Sequence, residues 1–144
     1  MTKNQSTIRT TNLDYELIFD GGSRGNPGAA YGSYQIRLSR GKARKPVRLH
    51  LGEGTNNEAE YRTLIRAFED LLNEFDQNGT DPGAVHLRVY GDSQLVIRQL
   101  QGQWKAKDAR MRDLRDQVLR LGKPLGSVEF VHQARWRSVA ALGH

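Results

Sequence analysis

The feature that most constrains the fold is one long amphipathic segment in the middle of the chain. Over Asn57–Phe75, apolar side chains recur at intervals of three and four residues: Tyr61, Leu64, Ile65, Phe68, Leu71, Leu72 and Phe75. That spacing predicts a helix with one wide apolar face. Because such a face must be buried against another layer, we expect this helix to lie on a sheet.

Short apolar or alternating runs on both sides of this helix predict strands. Three precede the helix and two follow it: Tyr15–Asp20, Ala30–Leu38, Pro46–Leu51, Val85–Tyr90 and Ser127–Val131. Between the last two strands we expect a short helix capped by Ser93 and a second helix over Met111–Leu121. Early hairpins followed by β-α-β crossovers predict an α/β fold with a five-stranded mixed sheet flanked by helices.

The length and composition bound the kind of protein. A chain of 144 residues is long enough for one domain with its own core, and we expect a single domain over residues 1–144 with a flexible leader at 1–13. No apolar run reaches membrane-spanning length and no secretory h-region begins the chain, so we expect a soluble, cytoplasmic monomer. The absence of cysteine excludes disulfides, thiolate metal sites and cysteine nucleophiles.

The distribution of charge is more informative than its total of +6. Seven basic residues and no acid lie between Gly21 and Gly52, whereas eight acids and two arginines lie between Glu53 and Asp81. Basic segments of this kind favour a polyanionic partner such as nucleic acid, because phosphate contacts release counterions. A solvated surface with scattered arginines is the alternative.

Three acidic residues stand at the ends of different predicted elements. Asp20 closes the first strand before the run GGSRGNPG, Glu60 lies in TNNEAE at the start of the long helix, and Asp92 follows the fourth strand in GDSQLV. Strand ends and helix starts can direct carboxylates from distant parts of a chain to one point. In a basic protein, converging carboxylates predict a divalent-metal site that acts on a phosphate backbone.

Each of these motifs also has a plain structural interpretation. The glycine-rich run could be only a turn, TNNEAE only a capped helix start, and Asp92 only a cap. Against this, Glu60 lies beside the buried edge of the helix. Two close carboxylates without a counter-ion would also repel each other.

The histidine and tryptophan residues also allow a functional or a plain structural interpretation. His132, at the end of the last strand, is a candidate for acid–base chemistry, whereas His50 and His86 lie within strands and have no assigned role. Trp104, followed by Lys105 and Lys107, is either a stacking and phosphate-binding patch or a partly buried side chain beside solvated lysines.

Taken together, FDGGSRGNPG, TNNEAE and GDSQLV, in this order on strand, helix and strand, resemble the type 1 ribonuclease H family, which cleaves the RNA strand of RNA–DNA hybrids. The similarity extends from about Tyr15 to Arg135. It implies that Asp20, Glu60 and Asp92 are the first three acids of a four-carboxylate site. It also implies two divalent ions, Mg²⁺ or Mn²⁺, of which the second is weakly held here.

The same resemblance assigns roles to other side chains. It implies that His132 assists product departure and that a larger set contacts the substrate. The expected substrate-binding residues are Gly22, Ser23, Asn26, Asn56, Asn57, Gln94 and Arg135. The implied reaction is endonucleolytic hydrolysis that leaves 5′-phosphate and 3′-hydroxyl ends, with recognition through minor-groove shape and 2′-hydroxyl groups. Double-stranded RNA remains open as a second partner.

The chain departs from the family pattern at the fourth acid. The position ten residues after His132 is Leu142, the expected loop asparagine is Ser138, and no acid follows Glu129. With His144 as the last residue, we expect the C-terminal helix to be absent. We hypothesise that His144 replaces the missing ligand through its imidazole or its terminal carboxylate. An imidazole ligand would favour Mn²⁺ over Mg²⁺. The alternative is a frayed tail and a slow enzyme.

Two other functions remain open at this point. One is a non-catalytic module that binds RNA–DNA hybrids with a degenerate active site, although a pure binder gains nothing from clustered negative charge near phosphates. The other is a DNA strand-transfer enzyme on the same fold, although the chain has no room for the additional DNA-binding domains that such enzymes usually carry.

Overall fold

A computed structural model describes residues 13–143, which form one five-stranded sheet and four α-helices. The strands are β1 Leu13–Arg24, β2 Gly28–Leu38, β3 Val47–Gly54, β4 Val85–Gly91 and β5 Ser127–His132. The helices are α1 Asn56–Asn78, α2 Gln94–Leu100, α3 Ala109–Gly122 and α4 Arg135–Leu142. The predicted fold class is confirmed. The expected flexible leader lies outside the described residues apart from Leu13, which already belongs to β1.

The sheet has the strand order β3-β2-β1-β4-β5. β2 pairs antiparallel with both β1 and β3, whereas β4 pairs parallel with both β1 and β5. The central strand β1, its neighbour β4 and the edge strand β5 run parallel and therefore end at the same edge of the sheet. Functional side chains that follow parallel strands collect at such an edge.

Helix α1 covers one face of the sheet and buries the apolar face that its spacing predicts. Tyr61, Leu64, Phe68 and Phe75 are all buried, and they contribute to one core with residues of β1 and β4. Each such side chain contributes about 1.5–3 kcal/mol when it is fully buried. The core thus holds α1 firmly, together with the residues of its first turn.

The expectation that no C-terminal helix forms is wrong. Arg135–Leu142 forms the eight-residue helix α4, which packs against β1 and β2. Leu142 is fully buried, its carbonyl accepts a hydrogen bond from Arg48, and Gly143 ends the helix in the left-handed conformation. Because tertiary contacts supply most helical stability in proteins, two turns are enough when one end is anchored in this way.

The face of the sheet that α4 covers is the one opposite α1. Side chains alternate along a strand, and Ile18 and Tyr90, which lie beside α4, alternate with the core residues Leu17 and Val89. None of the helices within residues 13–143 is long and apolar enough to cross a membrane.

Candidate active site

The three acids singled out in the sequence meet in the fold. One carboxylate oxygen from each of Asp20, Glu60 and Asp92 lies within 4.8 Å of the other two. Asp20 and Glu60 are buried, and the side chain of Asp92 is only 7% exposed. Three negative charges at this spacing and burial repel one another unless a cation lies between them.

Strand register brings two of these acids together. Ile18 of β1 lies opposite Tyr90 of β4 in the parallel ladder, so Asp20 and Asp92 each follow a paired residue by two positions. Both carboxylates therefore leave the sheet at the same level. Their convergence follows from the parallel pairing of β1 with β4, and it needs no unusual loop conformation.

A glycine brings the third acid to the same point. A Cβ atom at Gly21 would lie 2.7 Å from the backbone carbonyl carbon and oxygen of Ala59 and 2.8 Å from the amide nitrogen of Glu60. Only a residue without a side chain allows β1 to approach the first turn of α1 this closely. The Gly21 amide also donates a hydrogen bond to the Glu60 carboxylate.

The pKa of Glu60 reflects both its burial and the nearby negative charges of the cluster. Burial raises the pKa of Glu60 well above its ordinary value, and the negative charges of Asp20 and Asp92 raise it further. The charge of Arg135 and the Gly21 amide act in the opposite direction. The Glu60 Oε1 atom is buried and has no hydrogen-bond partner among residues 13–143.

This donor set fits a divalent cation. Carboxylate oxygens are the ligands that Mg²⁺ and Mn²⁺ prefer, and a buried oxygen without a partner is an acceptor that a cation would satisfy. Asp20, Glu60 and Asp92 are the described residues that would hold such an ion.

Arg135 and His132 lie beside the carboxylates. Arg135 is the first residue of α4, and its Nη1 atom lies 3.4 Å from Oδ2 of Asp92. His132 ends β5 opposite Gly91, the residue that precedes Asp92, and its side chain is exposed. Both predicted site residues are thus placed at the same edge of the sheet as the three acids.

The expected substrate-binding residues of the glycine-rich turn lie against the start of α1. The Ser23 amide donates to Oδ1 of Asn56 at 2.8 Å, and the Asn56 amide donates to Oδ1 of Asn26 at 2.9 Å. The two asparagine oxygens therefore hold the β1–β2 turn onto α1, a structural role that the sequence interpretation did not include. The Ser23 hydroxyl oxygen is buried and has no partner among the described residues.

The remaining expected substrate contacts lie around this turn. Asn57 is half-buried in the first turn of α1, and Gln94 is exposed at the start of α2. Gly22 lies beneath the exposed Tyr31, whose hydroxyl would be 2.6 Å from a Cβ atom at position 22.

The capped start of α1, which the sequence left open as a plain interpretation of TNNEAE, is present, but the sequence did not predict the contact that joins this turn to α3. Thr55 and Glu58 form a capping box, in which each side chain accepts a hydrogen bond from the backbone amide of the other. Arg110, at the start of α3, donates to Glu58 at 2.9 Å. The Thr55 amide and then the Arg110 guanidinium lower the pKa of Glu58, although burial opposes them. The spacing T-x-x-E is the sequence pattern of this capping box.

The position of the family's fourth acid holds an apolar contact in this chain. Leu142 is fully buried, and the buried Ser138 hydroxyl accepts a hydrogen bond from the Gln133 amide. Neither residue offers a carboxylate to the cluster. The hypothesis that His144 is a metal ligand lies outside the described residues.

Comparison with known proteins agrees with this geometry. A family model described as reverse transcriptase-like matches residues 18–142. The chain is 33% identical over 123 residues to the bifunctional protein Rv2228c of Mycobacterium tuberculosis, and 38% identical over 94 residues to ribonuclease HI of Halobacterium salinarum. These matches cover 85% and 65% of this chain but only 32% and 43% of the relatives, so the chain spans less than half of their length.

A solved structure shows the same fold. The structure of LC11-RNase H1 in complex with an RNA/DNA hybrid superimposes with a TM-score of 0.78 at 32% identity, and the match covers 88% of this chain and 89% of the other. Sequence motifs, sheet order, the three converging acids and these similarities agree, and the chain belongs to the ribonuclease H-like family.

Proposed function

We propose that this protein hydrolyses the RNA strand of RNA–DNA hybrids endonucleolytically, with a divalent cation as cofactor, and leaves 5′-phosphate and 3′-hydroxyl ends. The observation that carries the proposal is the convergence of Asp20, Glu60 and Asp92 beside a glycine-rich turn. A relative named ribonuclease HI, and a similar structure solved with an RNA/DNA hybrid, support the choice of substrate.

Different residues of the chain would have different roles in this reaction. A divalent cation bound by the three carboxylates would supply the polarisation of water and the neutralisation of phosphate charge that hydrolysis requires. Glu60 and Asp20, both buried, hold their oxygens in place without competing water. His132, exposed at the end of β5, is positioned to move a proton to or from the departing strand.

Substrate recognition would be the role of the glycine-rich β1–β2 turn and the starts of α1 and α2. Hydroxyl and amide side chains stand at the end of β1, in the β1–β2 turn and at the starts of α1 and α2: Ser23, Asn26, Asn56, Asn57 and Gln94. Such groups suit the sugars and base edges of the shallow minor groove of a hybrid, where the 2′-hydroxyls are displayed. Recognition through shape and 2′-hydroxyls predicts cleavage without sequence preference.

A metal-dependent cleavage assay tests this function. Hybrid, double-stranded RNA, single-stranded RNA and duplex DNA, each with one labelled strand, are incubated with Mg²⁺, with Mn²⁺ or with a chelator. We expect shortening of the RNA strand of the hybrid with a divalent ion and none with the chelator. Ligation of the products, which needs a 5′-phosphate and a 3′-hydroxyl, checks the end chemistry.

One observation favours a second candidate, a non-catalytic module that binds hybrids. Leu142 stands at the position of the family's fourth acid, and this fully buried apolar side chain offers no ligand to a metal ion. The same assay separates the two functions, because hybrid that is bound but uncut with both ions would establish the binding module and refute hydrolysis.

A further inference from the structure

The contact between Arg135 and Asp92 joins two side chains of very different exposure. The Asp92 side chain is 7% exposed, whereas the Arg135 side chain is 71% exposed and reaches the acid from the solvent side at 3.4 Å. The charge of Arg135 is also felt by Glu60, whose pKa it lowers. An exposed cation therefore lies against one of the carboxylates that would hold a metal ion.

We infer that Arg135 competes with the divalent cation for Asp92, and that a phosphate group of the bound hybrid draws Arg135 away, so that one guanidinium couples metal binding to substrate binding. This inference rests on the proposed function for its second half. The competition itself concerns only the cation and the chain.

The geometry supports an exchangeable contact. A distance of 3.4 Å is long for a charge-assisted hydrogen bond, and an exposed guanidinium gains little from a single partner. Phosphate offers Arg135 a better partner, because two guanidinium N–H groups can bind two phosphate oxygens at once. The position of Arg135 at the start of α4 leaves its side chain free to turn toward solvent without moving β4.

The missing fourth acid strengthens the effect. With Leu142 at that position, the cluster formed by residues 13–143 consists of three carboxylates, and one arginine offsets a larger share of its charge than it would in a cluster of four. Removing Arg135 should therefore make the cluster more attractive to a divalent ion.

Titration with Mn²⁺ in the absence of nucleic acid tests the competition, with the free ion followed by electron paramagnetic resonance. We expect Arg135→Gln to bind Mn²⁺ roughly threefold to tenfold more tightly than the unmodified chain, as expected for the loss of one exposed ion pair. Arg135→Lys keeps the charge and should stay close to the unmodified chain. Arg137→Gln is the matched control, since it removes the same charge from a side chain that stacks on Trp136 at 4.7 Å.

The coupling is tested by repeating the titration with a saturating hybrid that 2′-fluoro groups make uncleavable. Binding of this analogue is checked by fluorescence anisotropy. With the analogue bound, Arg135 is already withdrawn, and the difference in Mn²⁺ affinity between Arg135→Gln and the unmodified chain should disappear. Equal affinities of Arg135→Gln and Arg137→Gln without nucleic acid would overturn the competition. A difference that persists with the analogue would overturn the coupling. Both results are independent of whether the hybrid is cleaved.

Discussion

The proposed active site joins two regions that are built in different ways. The carboxyl edge of β1 and β4, with the first turn of α1, is held by parallel pairing, a capping box and the main core. Helix α4, which carries Arg135, has eight residues and no side-chain cap at its start. The first region fixes the positions of Asp20, Glu60 and Asp92. The second carries Arg135, whose exposed guanidinium can exchange Asp92 for another partner. The acids are thus held by a rigid region, the carboxyl edge of β1 and β4 with the first turn of α1, whereas the cation is an exposed side chain at the start of a short helix.

The largest expected effect concerns the rigid region. Glu60→Gln should lower hybrid cleavage about a hundredfold or more, because one carboxylate of the cluster is lost. In the presence of a chelator the same change should raise the melting temperature at neutral pH, because it removes a buried charge beside Asp20 and Asp92. Cleavage and thermal unfolding of the same preparation measure both effects.

The raised pKa of Glu60 also predicts the direction in which the stability of the chain changes with pH. The pKa of Glu60 is raised in the folded chain, so the folded state holds the proton more tightly than the unfolded one. The stability of the unmodified chain without metal should therefore fall as the pH rises above 4.5, the ordinary value for glutamate, through the folded pKa. Glu60→Gln should flatten this decline, whereas Glu69→Gln, an exposed control on the same helix, should not. A lower melting temperature for Glu60→Gln would contradict the electrostatic account.

The next effect separates the two regions directly. Leu142→Ala should lower the free energy of unfolding by about 2–3 kcal/mol, because it leaves a cavity where a fully buried leucine anchors α4. It should not weaken Mn²⁺ binding, because none of the three acids lies on α4. Leu64→Ala removes an equally buried leucine from α1, which carries Glu60, and should weaken both stability and Mn²⁺ binding. Similar losses of Mn²⁺ affinity in the two variants would abolish the distinction.

The smallest effect tests how closely β1 and α1 must approach. Gly21→Ala should cost about 1–3 kcal/mol of stability, because the new methyl group meets the backbone of Ala59 and Glu60. Hybrid cleavage should fall with it, since the shift separates Asp20 from Glu60. Gly83→Ala is the control, because a Cβ atom there would make only ordinary contact, 3.4 Å from the Asp81 carboxylate. Chemical denaturation gives the stability of both variants, and an unaffected Gly21→Ala protein would show that the approach is not required.

The rigid region was also the more predictable one. The apolar spacing of α1 and the position of Asp20 and Asp92 after apolar runs are local patterns, and local patterns with a clear period predict elements well. Convergence of the acids then follows from the parallel order of the strands.

Contacts between residues far apart in the chain were not predictable in the same way. Helix α4 depends on the burial of Leu142 and on its contact with Arg48, which is 94 positions earlier in the chain. The pairing of Arg135 with Asp92, across 43 positions, has no local signature either. The hydrogen bonds that the Asn26 and Asn56 side-chain oxygens accept have no local signature, because they form only when the β1–β2 turn folds back onto α1.

The central place of β1 has a consequence for the stage of synthesis at which the acidic cluster can form. Its neighbour β2 follows at once, but its other neighbour, β4, begins only at Val85. A nascent chain that has not yet reached that strand presents Asp20 and Glu60 without Asp92. A ribosome-bound fragment that ends before Val85 therefore lacks one of the three carboxylates, and the acidic cluster is completed only after most of the polypeptide has emerged.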